Sequence, residues 1–308
     1  MDVLVKQATW EADGVLSLIL TDPEGADLPA WTPGSHIDLH LGDRVRQYSL
    51  CGDPADRGRY QIAVLHAAQS RGGSAYVHER LRPGQTVRID GPRNHFTLEP
   101  SRRYLFIAGG IGITPILPMI RKVVAENREW RLVYGGRCRR SMAFQQELAG
   151  YGDRVEIVPQ DERGLLDLGE LLGEPDADAL VYCCGPEPLL AAVEEYCAGW
   201  PAGSLRLERF AAKSQDFGPD APFEVVCQRS DVAVRVDPGT SIVDALEAVD
   251  VWVPSACREG ICGTCETRVI DGTPDHRDSL LSEDERSAGK LMLPCVSRAL
   301  TPRLVLDI

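Results

Sequence analysis

Through the first hundred residues, short runs are either apolar throughout or apolar at every second residue. The stretches 15–20, Ser35–Leu41, Tyr60–Leu65 and 86–89 read as strands, parted by turns such as Thr32-Pro33-Gly34, Gly52-Asp53-Pro54 and Arg82-Pro83-Gly84. Evenly spaced short strands with such turns predict a small antiparallel β-barrel over 1–100. One helix interrupts it over 73–81, with Ser74 as its N-cap. The period then changes. Over 101–212, strands at 104–108, 131–134, 155–158 and Ala179–Cys184 alternate with helices opening at Thr114 and spanning 141–148, 167–172 and 187–197. Alternation of that kind predicts a parallel α/β sheet with right-handed crossovers. Residues 213–221 are polar, carry Gly and Pro and lack periodicity, so they read as a linker. Over 222–308, a hairpin of 223–229 with Val232–Val236, a helix at 242–249 opened by Thr240/Ser241, and strands at 266–270 and 303–308 predict a small α+β domain. The chain is therefore multidomain.

The densest chemistry falls in that last segment. Cys257-Arg258-Glu259-Gly260-Ile261-Cys262-Gly263-Thr264-Cys265 has the spacing C-x4-C-x2-C, and Cys295 follows alone. Four thiolates in that order are the plant-type arrangement for a [2Fe–2S] cluster. Gly260 and Gly263 allow the positive φ values that a loop needs to turn N–H groups toward anionic sulfur. Zinc is the competing metal, but zinc ribbons pair two short knuckles and here the fourth ligand stands apart. A disulfide framework is disfavoured because residues 1–6 do not read as a secretory leader. The other cysteines are expected to be free thiols in a reducing cytoplasm.

Two constellations mark the barrel segment. In Arg46-Gln47-Tyr48-Ser49, strand alternation puts Arg46 and Tyr48 on one face and Ser49 on the other. A guanidinium forks onto phosphate and an aromatic ring lies against a planar heterocycle. Arg71-Gly72-Gly73-Ser74 runs glycines into a helix start, where free N–H groups favour an anion. Separately, each has a plain alternative: a solvated strand charge, a core tyrosine, a turn. Together they describe a pocket for a phosphorylated flat ligand. In the α/β segment, Gly109-Gly110-Ile111-Gly112-Ile113-Thr114-Pro115 follows the first strand, with Thr114 expected as N-cap and Pro115 as the first helical residue. Gly110 and Gly112 are placed to hold a pyrophosphate, although Pro115 stands where the third glycine of the dinucleotide fingerprint would fall. No acidic residue ends the second strand. Arg137, Arg139 and Arg140 stand there instead, able to meet a 2′-phosphate or to cap a surface helix.

Composition narrows the partners. The net charge of −13 disfavours nucleic acid and anionic lipid. No stretch has the length of a membrane span. Residues 222–308 hold 9 Lys/Arg against 15 Asp/Glu, so the cysteine-bearing end carries −6 of that charge and could steer a basic partner.

Taken in order, Arg46-x-Tyr48-Ser49-Leu50, Arg71-Gly72-Gly73-Ser74, Gly91-Pro92-Arg93-Asn94-His95-Phe96, the 109–115 loop, Cys184-Gly185-Pro186 and the four cysteines resemble the phthalate dioxygenase reductase family, within the ferredoxin–NADP reductase superfamily. The resemblance covers all three segments. It implies an FMN-binding barrel, an NAD(P)-binding domain and a β-grasp ferredoxin domain. It further implies that Arg46 and Ser74 hold the FMN phosphate, with Gln47, Arg71, Gly72 and Gly73 beside them, and that Tyr48 lies on the isoalloxazine. Ser49 would sit near its N5, and Phe210 would lie close by. Thr114 and Cys184-Gly185-Pro186 would face the nicotinamide, with Gly110, Gly112, Pro115 and Arg137 in the coenzyme site and NADH as the coenzyme. For Cys184 the plain alternative is inert packing at a strand end. The metal ligands would be Cys257, Cys262, Cys265 and Cys295. The expected function is a cytoplasmic, monomeric reductase passing electrons from NADH through FMN and the cluster to a terminal oxygenase, a Rieske aromatic oxygenase or demethylase first and a cytochrome P450 second. A flavin and cluster redox sensor is the alternative from another class, but no effector domain or DNA-binding helix is visible.

Overall fold

A computed structural model describes residues 1–67, 72–213 and 217–308. The chain separates into two compact units, Met1–Glu208 and Arg209–Ile308.

The first unit holds two sheets. Strands β1 (Asp2–Ala12), β2 (Val15–Thr21), β3 (Ser35–Leu41), β4 (Arg44–Ser49), β5 (Tyr60–Leu65) and β6 (Thr86–Asn94) pair antiparallel in the order β4-β3-β6-β1-β2-β5. A bridge between Leu50 and Ile62 brings the two edges of that sheet together, as a barrel requires. Val3, Val5, Leu18, Leu20, Ile37, Leu39 and Ile62 fill its interior. Helix α1 (Gly73–Glu79) begins after Gly72, which is left-handed at φ 90°, so Gly72 and not Ser74 occupies the N-cap. The segment Arg71 lies outside the described residues.

Strands β7 (Arg103–Gly109), β8 (Glu129–Gly136), β9 (Val155–Pro159), β10 (Ala179–Cys184) and β11 (Leu205–Glu208) form a wholly parallel sheet in the order β11-β10-β7-β8-β9. The order reverses between β7 and β10, and ligands of open α/β sheets settle at such a switch point. Helices α2 (Ile113–Ala125), α3 (Gln145–Ala149), α4 (Gln160–Arg163), α5 (Leu168–Leu172) and α6 (Glu187–Tyr196) are the connections. Thr114 is not the N-cap of α2, because a 3-10 turn at Gly110–Gly112 leads straight into Ile113. The helix expected over 141–148 starts only at Gln145, since Phe144 sits left-handed at φ 62°. One buried cluster, separate from the barrel interior, joins barrel and sheet. Cys51 and Ala63 belong to the same buried cluster as Ile113, Ile116 and Leu117, and Arg121 of α2 donates to the Cys51 and Gly52 carbonyls at 2.6 Å each.

In the second unit β12 (Phe223–Cys227), β13 (Val232–Val236), β14 (Thr267–Asp271), β16 (Leu291–Met292) and β18 (Arg303–Leu306) make a mixed sheet ordered β13-β12-β18-β14-β16. Two short strands, β15 (Pro274–Asp275) and β17 (Arg298–Ala299), pair beside it. Helix α7 (Ile242–Glu247) packs Ile242, Val243, Ala245 and Leu246 into the core and is capped by Ser241, as expected. Helix α8 (Glu283–Ala288) opens with a capping box between Ser282 and Glu285. The stretch expected as a linker is tied down at its described ends. Lys213 donates its N–H to Ser279 at 3.0 Å, and Asp220 accepts from Arg277 at 2.8 Å and from the Gly239 N–H at 3.0 Å. Residues 214–216 lie outside the described residues. Among the described residues no helix is long and apolar enough to cross a membrane.

Candidate redox sites

Register in the barrel decides which side chains can meet a ligand. Arg46 pairs with Leu39 and Tyr48 with Ile37, whereas Gln47 pairs with Asp38 and Ser49 with His36. Arg46 and Tyr48 thus share a face, and Ser49 lies on the other, as alternation predicts. Tyr48 is half-buried against the barrel core, and burial pushes its hydroxyl up to about 12. The glycines that open α1 receive arginine side chains. A Cβ on Gly73 would lie 2.6 Å from Arg46 Cγ, and one on Gly72 would lie 3.0 Å from Arg44 Nε. Arg46 is therefore laid across the start of α1, which brings the two weak motifs side by side. Ser74 Oγ accepts the Ala67 N–H at 3.2 Å. Gln47, expected among the flavin contacts, has its amide committed to Asp38 at 2.6 Å, a carboxylate that Arg93 also holds. Beside them His36 is buried, and desolvation, then Arg93, lowers it to about 4, so its ring is neutral.

At the switch point, the ends of β7 and β10 are pressed together. A Cβ on Gly112 would meet the Cys184 carbonyl oxygen at 2.2 Å, and one on Gly109 would meet Pro186 Cδ at 2.7 Å. Gly112 is demanded by this packing, while Gly110, at φ +55° with open space around it, faces no neighbour. Thr114 is buried and donates to the Ile111 carbonyl at 2.9 Å, which locks the turn. Pro115 is buried in the first turn of α2. Of the three arginines after β8, Arg139 forks onto Glu162 at 2.8 and 3.2 Å and Arg140 pairs with Asp13 at 3.0 Å. Arg137 is exposed and makes no ion pair among the described residues.

One group escaped the sequence reading. Glu208, at the end of β11, is in register with Cys184, whose Sγ lies 4.0 Å from its Oε2. Ser49 Oγ hydrogen-bonds the same carboxyl from the barrel. The residue keeps some accessible surface, yet its carboxyl is enclosed, and that desolvation pushes it up to about 8, with Ser49 opposing. Burial, then Glu208, holds the Cys184 thiol well above its usual range, so it is a neutral S–H and no nucleophile. Ser49, Glu208 and Cys184 join barrel and parallel sheet at one point. The only available signal was a lone acid closing the short run Leu205-Arg206-Leu207-Glu208. Phe210 lies at the start of the second unit and is exposed.

In the second unit the cysteine loop is built by three left-handed residues, Arg258 (φ 56°), Gly260 (φ 69°) and Gly263 (φ 69°). Arg258 has no glycine freedom. It is held there by α7, where it donates to Asp244 at 2.7 Å and to Glu247. The loop turns its amides onto sulfur. Glu259 N–H points at Cys257 Sγ at 3.3 Å, Ile261 N–H bonds the same sulfur, Gly260 N–H bonds Cys295, and Thr264 bonds Cys262 through both N–H and hydroxyl. Sulfur contacts run from Cys262 to Cys257, on to Cys295 and then to Cys265. Among the described residues no three or more His, Cys, Asp or Glu are grouped as for a single ion. Cys262, Cys265 and Cys295 are buried and Cys257 is partly exposed. Four soft donors with amides aimed at their sulfurs fit a 2Fe–2S group, for which such hydrogen bonds stabilise the negative charge.

Comparison with known proteins agrees with both sheets and loop. A model of the 2Fe-2S iron-sulfur cluster binding domain matches residues 225–300, which hold all four cysteines, and a model of the oxidoreductase NAD-binding domain matches 106–165. The chain is 44% identical over 302 residues to phenoxybenzoate dioxygenase subunit beta of Ectopseudomonas oleovorans, covering 97% of this chain and 94% of that one. The solved phthalate dioxygenase reductase is 35% identical with a TM-score of 0.74, covering all of this chain and 98% of its own. The chain belongs to the phthalate dioxygenase reductase family. It is an NAD(P)H-dependent flavin and iron–sulfur oxygenase reductase. An intact self-sufficient cytochrome P450 monooxygenase is also similar, at 44% identity and a TM-score of 0.95, and this chain spans 41% of its length. The family's three-domain order is that of the barrel, the parallel sheet and the mixed sheet.

Proposed function

We propose that this reductase takes electrons from NADH and delivers them singly, through FMN and a [2Fe–2S] cluster held by Cys257, Cys262, Cys265 and Cys295, to a Rieske-type aromatic oxygenase or demethylase. The observation that carries this reading is the junction of Ser49, Glu208 and Cys184, where the barrel and the parallel sheet meet at the switch point. When bound, nicotinamide supplies a hydride, flavin converts the electron pair to single electrons and the iron–sulfur centre passes these on. The chain's own residues bind and orient. Arg46 and Ser74 would hold the FMN phosphate, Tyr48 would cover the ring, and Ser49, with its hydroxyl donating to Glu208, would border the flavin side. At neutral pH the Glu208 carboxyl is largely protonated, since it titrates at about 8. It therefore keeps a proton at the junction without adding a buried negative charge beside Cys184. Gly110, Thr114 and the Cys184-Gly185-Pro186 turn bound the nicotinamide site.

The pairing of Arg139 and Arg140 with acids supports NADH. A 2′-phosphate would find one unpaired guanidinium, Arg137, in place of three. FMN is favoured over FAD by the Arg71-Gly72-Gly73-Ser74 motif. A cytochrome P450 is the second candidate acceptor, on the strength of the likeness to the P450-fused reductase. Acid extraction and chromatography of the bound flavin test the cofactor assignment. FMN is the expected result, and FAD would overturn it.

A further inference from the structure

We infer that Trp252 and its acidic surroundings form the docking face for the electron acceptor, a redox protein with a basic rim around its one-electron centre. This rests on the electron-transfer reading above and adds the place where the partner sits. Residues 251–253 alternate inward and outward. Val251 and Val253 are buried in the same cluster as the ligand candidates Cys265 and Cys295. Trp252 between them is 73% exposed, and Val249 just before it is 42% exposed. An indole displayed on the outer side of an extended segment whose neighbours enter the ligand core has no folding role to explain it. Such aromatic anchors dominate protein interfaces.

The loop then runs straight to Cys257, the one cysteine of the four that is not buried. The edge of the cluster site nearest solvent is therefore on the same loop as the exposed indole. Arg258, the next residue, is pinned to Asp244 and Glu247 of α7, so the patch is presented on a fixed frame. Its charge is negative. The Arg258 guanidinium is shared between two carboxylates, and Asp250 is exposed and makes no ion pair among the described residues. These charges belong to the net −6 of residues 222–308. An apolar anchor with an acidic border selects a partner with an apolar recess and a basic rim.

The test uses the reductase with flavin and cluster bound, NADH as donor, and two acceptors. Cytochrome c is a basic one-electron protein, and ferricyanide is a small anion that needs no docking face. W252A and D250K should each raise the KM for cytochrome c, W252A by about 10-fold, with ferricyanide turnover unchanged. Rising salt should weaken the wild-type reaction with cytochrome c alone. An unchanged cytochrome c KM in W252A overturns the proposal. So does an equal loss with both acceptors, which would place the defect in the relay. So does a wild-type dimer that W252A converts to monomer without altering cytochrome c kinetics, which would assign the face to a second copy. Failure of the electron-transfer reading looks different, because the wild-type protein would then pass no electrons from NADH to cytochrome c.

Discussion

Replacing Gly260 with alanine adds one methyl group where the cysteine loop has no room for it. The residue sits at φ +69°, and a Cβ there would lie 2.6 Å from Val296 Cγ2 and 2.9 Å from Asp278 Cα. A left-handed L-residue costs about 1–2 kcal/mol, and forcing a methyl into close-packed surroundings adds about 1–3 kcal/mol. Asp278 offers backbone, which cannot rotate away. It is itself fixed by accepting the Leu280 and Leu281 N–H groups at 3.1 and 2.8 Å. Val296 follows Cys295, the sulfur that Gly260 N–H bonds, so the displacement reaches a ligand from both sides. Gly289 makes the control. It has nearly the same φ, +61°, with nothing within 4 Å of an added Cβ, and so incurs only the conformational cost. Heating both variants while following cluster absorbance, with iron and sulfide assayed before each run, separates the two terms. G260A should lose its cluster on the order of 10 °C below G289A, as about 2 kcal/mol implies for a unit of this size. Equal loss temperatures would refute the claim that contact at Gly260 shapes the site.

The glycines at the switch point divide in the same way. G112A would drive a methyl to 2.2 Å from a backbone carbonyl and should destabilise the first unit by about 3 kcal/mol or more. G110A, with open space around it, should incur only the conformational cost of its φ of +55°, about 1–2 kcal/mol, while raising the KM for NADH. Reversal of those two outcomes would misplace the coenzyme loop. For Glu208, the folded value of about 8 lies above the ordinary carboxyl value of 4.5. Its contribution to stability is therefore complete below the unfolded carboxyl range and is lost as pH rises toward and through 8. Thermal unfolding followed by flavin fluorescence should show wild type losing stability across that window relative to E208Q. Parallel curves for the two would mean the carboxyl is not enclosed.

What the sequence made legible was whatever is local. Strands β3 and β5 were bounded correctly because their alternation is unbroken, and the C-x4-C-x2-C loop because its ligands are neighbours. Strand β1 was unread because register shifts after Val5 and after Trp10 break its period. Both expected caps, Ser74 and Thr114, went to glycines instead. Gly72 takes a left-handed turn there, and Gly112 must let Cys184 approach, and neither demand shows in a capping pattern. Glu208 was unread for a different reason. Its meaning depends on Ser49 and Cys184, brought to it by two sheets from distant parts of the chain. Likewise, the three arginines after β8 looked equivalent until Glu162 and Asp13 were seen to neutralise two of them.

In the proposed relay one chain carries electrons from a nicotinamide through a flavin to the sulfur-ligated centre of the 257–265 loop. An anaerobic titration with NADH, recorded by visible absorbance and by the EPR signal of the reduced cluster, tests it most directly. Flavin bleaching and the cluster signal should grow in the same titration, with the C257S variant bleaching its flavin and giving no such signal. Flavin bleaching with the wild-type cluster left oxidised would contradict it.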